Sequence, residues 1–481
     1  MRHMQNYPYF DAVGLAQLVK RGEVSPAELV EAAIARIEQV NPQVNAVIHK
    51  MYDSARAVAK KASFSGPFAG VPFLMKDLLA FVKDEPLSMG SKLMKDFIAP
   101  HDSELVRRIR RAGFVLLGKT NTPEFGLPPT TEPVAFGPTR NPWNLNRSSG
   151  GSSGGAAAAV AAGMVPAAHG NDGGGSIRIP AACCGVFGMK PTRGRFTLAP
   201  DLGDYLSGFV VQGVLTRSVR DSALWYDLMA GPAPGDPYFA PPPQRPYSEI
   251  IDGDPPRLRI GFTTRPPLGG EVSADSRAGV AATVKLLRDL GHEVEEREIS
   301  VPEEFFAENF VPIWTSGVAQ SFDFIGKTRG DPVRAEEVEP FSWALYQVGR
   351  VQSASDYLRA VQACQLISRQ VAAEFASMDV WLTPVLGQPP VELGALDFVP
   401  EDPMRAFLRG KDFVPFTALC NMTGQPAMSV PLYWNEEGLP MGSHLVGRYG
   451  DETTLFKLAA QLERAQPWLE RRPSLSEKKT S

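Results

Sequence analysis

The chain runs to 481 residues, 43% hydrophobic and 21% charged, enough for a large buried core. Its 49 basic and 53 acidic side chains leave a formal charge of −4, a balance that favours neither nucleic acid nor an anionic membrane as a partner. No signal peptide is expected, because the first residues lack a basic start, an apolar run and a small-residue cleavage site.

In chain order, Ser25-Pro26-Ala27-Glu28 reads as a capping box with proline at the first helical position, predicting a helix to about Val40. Asp102 opens a second helix that stops at Gly113, and residues 114–117 read as a short buried strand. The alanine run 156–162 suits a helix packed closely on a sheet. The surrounding stretch 154–168 holds Gly163 and Pro166 and is shorter than the ~20 residues of a membrane span. Amphipathic helices are expected at 218–230 and 273–290, and strands at 258–262, 293–298 and 380–382. The alternation predicts an α/β fold, a sheet covered by helices on both faces. The proline-rich segment 231–247 reads as an ordered surface crossing more readily than as a linker between domains. Cys183, Cys184, Cys364 and Cys420 have neither zinc-knuckle nor redox spacing and fit a reduced, cytoplasmic protein with thiols as small core residues.

Two motifs mislead. Residues 113–120 match the phosphate-loop pattern letter for letter, but the four central residues are bulky and apolar, and Asn121-Thr122-Pro123 follows where a helix should begin. ATP binding is therefore rejected. Gly151-Ser152-Ser153-Gly154-Gly155 matches a nucleophile elbow centred on Ser153, which requires a downstream acid and then histidine. Of the downstream histidines, His169, His292 and His444, the last lies in a plausible strand where a packed or surface role is commoner, and Ser153 follows a polar turn where the elbow usually follows a strand, so a histidine triad stays the minority reading.

A different constellation carries the chemistry. Lys76 ends the apolar run Val71-Pro-Phe-Leu-Met, where burial would depress its pKa and free a neutral amine to act as a base. The blander reading pairs it with Asp77. Two glycine-serine segments follow, Ser148-Ser-Gly-Gly-Ser152-Ser-Gly-Gly155 and Asn171-Asp172-Gly-Gly-Gly-Ser176-Ile-Arg178. Both are bracketed by apolar elements, unlike a linker. Gly173, Gly174 and Gly175 would let backbone N–H groups converge beside Ser176, as an oxyanion hole requires.

The segments GVPFLMKD, NPWNLNRSSGGSSGGAAAAVAAG and GNDGGGSIRIPAACCGVFGMKPTRG, with PFTALCNMTGQPAMSVPL and GLPMGSHLVGRYGDETTLFKLAAQLE, resemble the amidase signature family nearly end to end. HGNDGGGSIRIPA is most similar to the branch containing hydrolases of the nylon-oligomer cyclic dimer. The resemblance implies a single domain over 1–481, a mixed sheet between helical layers, with a signature core at about 65–220 and a substrate-pocket half at about 250–481. It implies an amidohydrolase acting on carbon–nitrogen bonds other than peptide bonds, through a serine acyl-enzyme. Lys76 falls on the general base, Ser152 on a bridging serine after a cis peptide bond, and Ser176 on the nucleophile. Gly173, Gly174, Gly175 and the Ser176 amide fall on the oxyanion hole. Ser153, Asp172 and Arg178 fall on supporting positions.

No metal or other cofactor is called for, and the partner is a small amide or ester substrate, with a homodimer left open. The same resemblance admits the A subunit of a glutamine-dependent transamidosome, which HGND fits less well. It also admits a catalytically silent binding protein, which the intact Lys76, Ser152 and Ser176 argue against. Cyclic, linear and aryl amides, esters and carbamates all pass through this chemistry. Trp314, Phe341, Trp343 and Tyr346 are candidates to line the pocket, against the commoner role of aromatics as core.

Overall fold

The computed structural model describes residues 6–60, 64–267, 269–302, 304–397, 399, 402 and 405–475. The strands are β1 (Val47–Lys50), β2 (Pro72–Lys76), β3 (Val115–Thr120), β4 (Arg140–Asn141), β5 (Asn144–Ser148), β6 (Ala167–Asp172), β7 (Phe187–Lys190), β8 (Val211–Thr216), β9 (Arg259–Phe262), β10 (Glu293–Glu296), β11 (Val380–Pro384), β12 (Ala427–Val430) and β13 (Ser443–Gly447). Eleven of them form one mixed sheet in the order β1-β3-β2-β6-β8-β7-β12-β13-β11-β9-β10, while β4 and β5 pair separately. β3, β2 and β6 run parallel, as do β11, β9 and β10, and the strands between them pair antiparallel.

The helices that matter here are α1 (Pro26–Val44), α2 (Glu104–Arg111), α3 (Gly154–Ala161), α4 (Arg178–Cys184), α5 (Val219–Met229), α6 (Ala274–Asp289), α7 (Val311–Arg329), α8 (Pro340–Arg350), α9 (Ala354–Glu374), α10 (Arg405–Phe413), α11 (Thr417–Thr423) and α12 (Glu452–Ala465). They cover both faces of the sheet. α3 is buried at every position, because its glycines and alanines let it lie directly on β2, β3, β6 and β8. A second apolar cluster, from α7, α8, α9 and α11, stands beside the main core and walls the candidate site.

Local chemistry accounts for the element ends. Ser25 and Glu28 form both halves of the expected capping box. α1 runs past Val40 and through Pro42, ending where Asn45 takes φ +55. The Asn41 side chain secures that exit by accepting the N–H groups of Ala46 and Val47. α2 is capped by Ser103 and not by Asp102, whose carboxylate is spent on the Lys83 N–H and on Arg110. Residues 115–120 form a wholly buried strand, incompatible with a phosphate loop. The segment 231–247 is an ordered crossing, tied down at Gly231 by the Arg195 carbonyl and the Arg108 guanidinium and at Ala240 by the Gly194 carbonyl. The four cysteines are free and buried. Among the described residues no helix is long and apolar enough to cross a membrane.

Candidate active site

The candidate residues converge because neighbouring parallel strands end together. Lys76 is the last residue of β2, and Asn171 and Asp172 close β6, which pairs with β2 in parallel. Ser152 lies in the turn from β5 into α3, after a cis Gly151–Ser152 peptide bond, and Ser176 lies in the turn from β6 into α4.

Lys76 Nζ stands 2.7 Å from Ser152 Oγ and donates to Asn171 Oδ1 at 2.6 Å. Asn171 is itself held by donating from Nδ2 to the Leu78 carbonyl at 2.9 Å. Lys76 is completely buried. Burial drives its amine well below the ordinary lysine value of 10.5, and the Asp172 carboxylate only partly opposes this. Asp77 is not its partner. That carboxylate accepts from Ser88 and lies 3.7 Å from the buried Lys119.

Asp172 shapes the turn before Ser176. Its Oδ1 accepts the Gly175 N–H at 2.8 Å and its Oδ2 accepts the Ile177 N–H at 3.1 Å. Arg178 donates to both oxygens, at 2.9 and 3.0 Å. Burial alone would raise this carboxyl; the charge and hydrogen bonds of Arg178 outweigh it and hold Asp172 below the usual carboxylate range. Gly175 takes φ +136, a conformation glycine alone adopts freely.

One expectation changes here. Gly175 was a candidate oxyanion donor, but its N–H is committed to Asp172. The N–H groups of Gly173, Gly174 and Ser176 have no protein acceptor among the described residues.

Ser153 donates through Oγ to the Asn171 carbonyl and through its N–H to the Ser176 carbonyl, so it ties the two serine turns together. Among the described residues no histidine is hydrogen-bonded to it. His169 bonds Gln212 and accepts the Lys76 N–H, and burial lowers its ring to about 3. His292 bonds Gln461, and His444 sits between Thr383 and Arg178.

Three neighbours escaped the sequence reading. Asn171 lay inside the motif without a role. Thr417 Oγ1 donates to the Gly174 carbonyl at 2.6 Å, and Asn421 Nδ2 donates to the Asp172 carboxylate at 2.8 Å. The only trace of the last two was the stretch 415–432 that carried part of the resemblance.

Two hollows flank Ser176. The larger is mostly apolar, with Ile179, Phe306, Phe310, Trp314, Phe341 and Phe407 in its wall. The smaller is lined by Ser152, Asn171, Gly173, Leu206 and Val318. Trp314 borders both. Of the four candidate aromatics, Trp314 and Phe341 line the site. Trp343 and Tyr346 instead pack on each other, ring centroids 5.1 Å apart. Among the described residues no cluster of three His, Cys, Asp or Glu side chains could hold a metal ion.

Comparison with known proteins identifies the family. A 6-aminohexanoate-cyclic-dimer hydrolase of Paenarthrobacter ureafaciens is 42% identical, over 97% of this chain and 96% of its own. A solved structure of 6-aminohexanoate cyclic dimer hydrolase complexed with substrate superposes with a TM-score of 0.92 at 39% identity, covering 97% of this chain and 99% of the other. A bacterial aryl acylamidase of the amidase signature family superposes with a TM-score of 0.86 at 29% identity, covering 96% and 97%. The family model described as Amidase matches residues 28–456. The chain belongs to the amidase signature family, enzymes that hydrolyse carbon–nitrogen bonds of amides.

Proposed function

We propose that this enzyme cleaves its amide through an acyl-enzyme on Ser176, with Ser152 as proton bridge and Lys76 as base. The observation that carries the reading is a fully buried amine, depressed by burial, 2.7 Å from a serine hydroxyl. A neutral amine has the lone pair that an ammonium lacks. Ser176 Oγ attacks the carbonyl carbon and gives its proton to Ser152, which passes its own to Lys76. The tetrahedral oxyanion is met by the N–H groups of Gly173, Gly174 and Ser176. The relay then reverses: Ser152 protonates the amide nitrogen and recovers a proton from Lys76. The C–N bond breaks, the amine leaves and the acyl group stays on Ser176. Water repeats the sequence and releases the acid.

Asp172 and Arg178 hold the oxyanion turn in shape, and Ser153 joins the two serine loops. We infer one catalytic domain, since strands from both halves of the chain share the sheet. A reducing cytoplasm is the compartment that four unpaired, buried thiols suit. The substrate we assign is a small uncharged amide, cyclic or linear, of the nylon-oligomer type or an aryl amide. The mostly apolar larger hollow and the activities named for the two kinds of relative support this.

The test has two parts. Wild type is mixed with cyclic, linear and aryl amides, esters and carbamates, and the released acid and amine are detected by mass. An activated ester with the preferred acyl group is then used to trap the intermediate, expected as one acyl group on the Ser176 peptide. Turnover of amides without any acyl adduct on Ser176 would overturn the reading.

A further inference from the structure

The acyl-enzyme reading assigns the two hollows different halves of the substrate, and this inference rests on it. The departing nitrogen must take its proton from Ser152, so it leaves on the side that Ser152 lines. That is the smaller hollow, which also holds Asn171; the larger hollow contains neither residue. The acyl group therefore occupies the larger hollow and the amine the smaller one.

The outer wall of the smaller hollow has an unusual construction. Leu206 and Ser207 both have left-handed backbone, φ +52 and +53, a region L residues with side chains seldom visit. The loop is anchored on both sides of this point. Tyr205 Oη is 3.2 Å from Ser321 Oγ on α7, and Ser207 Oγ is 2.6 Å from Tyr357 Oη on α9. Behind it, Arg193 Nε donates to the Gly208 carbonyl at 2.9 Å. The side chain presented between these anchors is Leu206, which lies against Gly317 of α7. A Cβ placed on Gly317 would stand 1.8 Å from Leu206 Cδ2, so no larger residue fits at 317 while Leu206 keeps its seat.

We propose that Leu206, seated on Gly317, is a specificity-determining residue that limits the bulk of the amine or alcohol the enzyme releases. It acts by filling space beside the departing group, and the Gly317 seat fixes how far it protrudes. Removing Leu206 side-chain atoms enlarges the amine side alone. Adding a methyl group at 317 forces Leu206 off its seat.

The experiment uses two matched amide series. In one the acyl group is fixed and the amine grows in bulk; in the other the amine is fixed and the acyl chain grows. The measured quantity is kcat/KM, which in both series covers the steps up to release of the amine and excludes deacylation. Leu206→Ala should raise the ratio of bulky to small amines by about tenfold or more, the scale set by a few methylenes in an apolar pocket. It should leave the acyl series within about twofold. Gly317→Ala should alter the amine series and leave the acyl series in place, and Phe341→Ala, in the other hollow, should shift only the acyl series. Leu206→Val, a milder change, should move the amine series in the direction of Leu206→Ala and guards against misfolding of that variant. A Leu206→Ala enzyme that shifts the acyl series, or neither series, overturns the proposal. If the Ser176 adduct forms normally in that enzyme, the role of Leu206 fails alone; if wild type forms no adduct, the acyl-enzyme reading fails first.

Discussion

Lys76 Nζ and Ser152 Oγ stand 2.7 Å apart across 76 residues of chain, one at the end of β2 and the other in the turn before α3. The amine also donates to Asn171, and among the described residues no carboxylate pairs with it directly; the Asp172 charge favours its protonated form but only partly opposes burial. Its ionisation belongs to the Lys76–Ser152–Ser176 unit as a whole. The rate should rise with pH through an ionisation well below the ordinary lysine value of 10.5, and the profile should flatten above it. Lys76→Arg should not rescue activity, because guanidinium keeps its proton. Lys76→Ala should lose amide hydrolysis more severely than ester hydrolysis, since an ester leaving group hardly needs protonation. The measurement is kcat/KM for a matched ester and amide from pH 6 to 10. Substantial amide turnover by Lys76→Arg would remove this lysine from the mechanism.

The two serines nearest the glycine turns should separate cleanly. Ser176→Ala should abolish turnover and labelling by a fluorophosphonate probe. Ser153 only links the Asn171 and Ser176 carbonyls, so Ser153→Ala should keep a measurable rate and full probe labelling. An inactive Ser153→Ala beside an active Ser176→Ala would restore the elbow reading.

What was legible in the sequence was what acts locally. The Ser25–Glu28 box spans one helical turn, and the alanines of α3 announce close packing on a sheet wherever the fold puts them. Asp102 and Ser103 were equally good caps by residue type; only the distant Lys83 N–H and the Arg110 side chain decide between them. The candidate site was readable where one turn holds both the nest and Ser176. It was unreadable where support arrives from far along the chain, as with Thr417 on Gly174 across 243 residues. Gly175 shows a subtler limit. Three consecutive glycines predict converging amides, but not that the Asp172 side chain claims one of them.

Replacing histidines should leave the chemistry largely intact. His169, His292 and His444 are all buried and bonded to polar side chains, and none is hydrogen-bonded to Ser152, Ser153 or Ser176. Single substitutions by glutamine should keep kcat/KM within about tenfold, far from the loss expected for a triad member. His444 is the most informative, because it touches Arg178. A fall of several orders of magnitude in a folded His444→Gln enzyme would exclude the lysine relay.

Lys190, outside the proposed relay, should leave its mark on stability. It ends β7, is fully buried, and donates from Nζ to the Pro191 carbonyl at 2.6 Å. Burial, followed by the nearby Arg178 charge, pushes its amine down to about 7, with Asp172 opposing. In the unfolded chain it titrates near ~10.4. Between those values the unfolded state holds a proton on this amine that the folded state has released. Stability conferred through this site therefore rises with pH from about 7 and levels off as the unfolded lysine loses its proton. Lys190→Met keeps the length of the side chain and removes the titration. Urea unfolding of both proteins from pH 6 to 10 isolates the effect, because the other buried lysines and carboxylates cancel in the difference. Wild type should gain on the variant as the pH rises through this window. A wild-type-minus-variant difference that stays flat would mean that Lys190 titrates alike in both states, and its depressed value would be refuted.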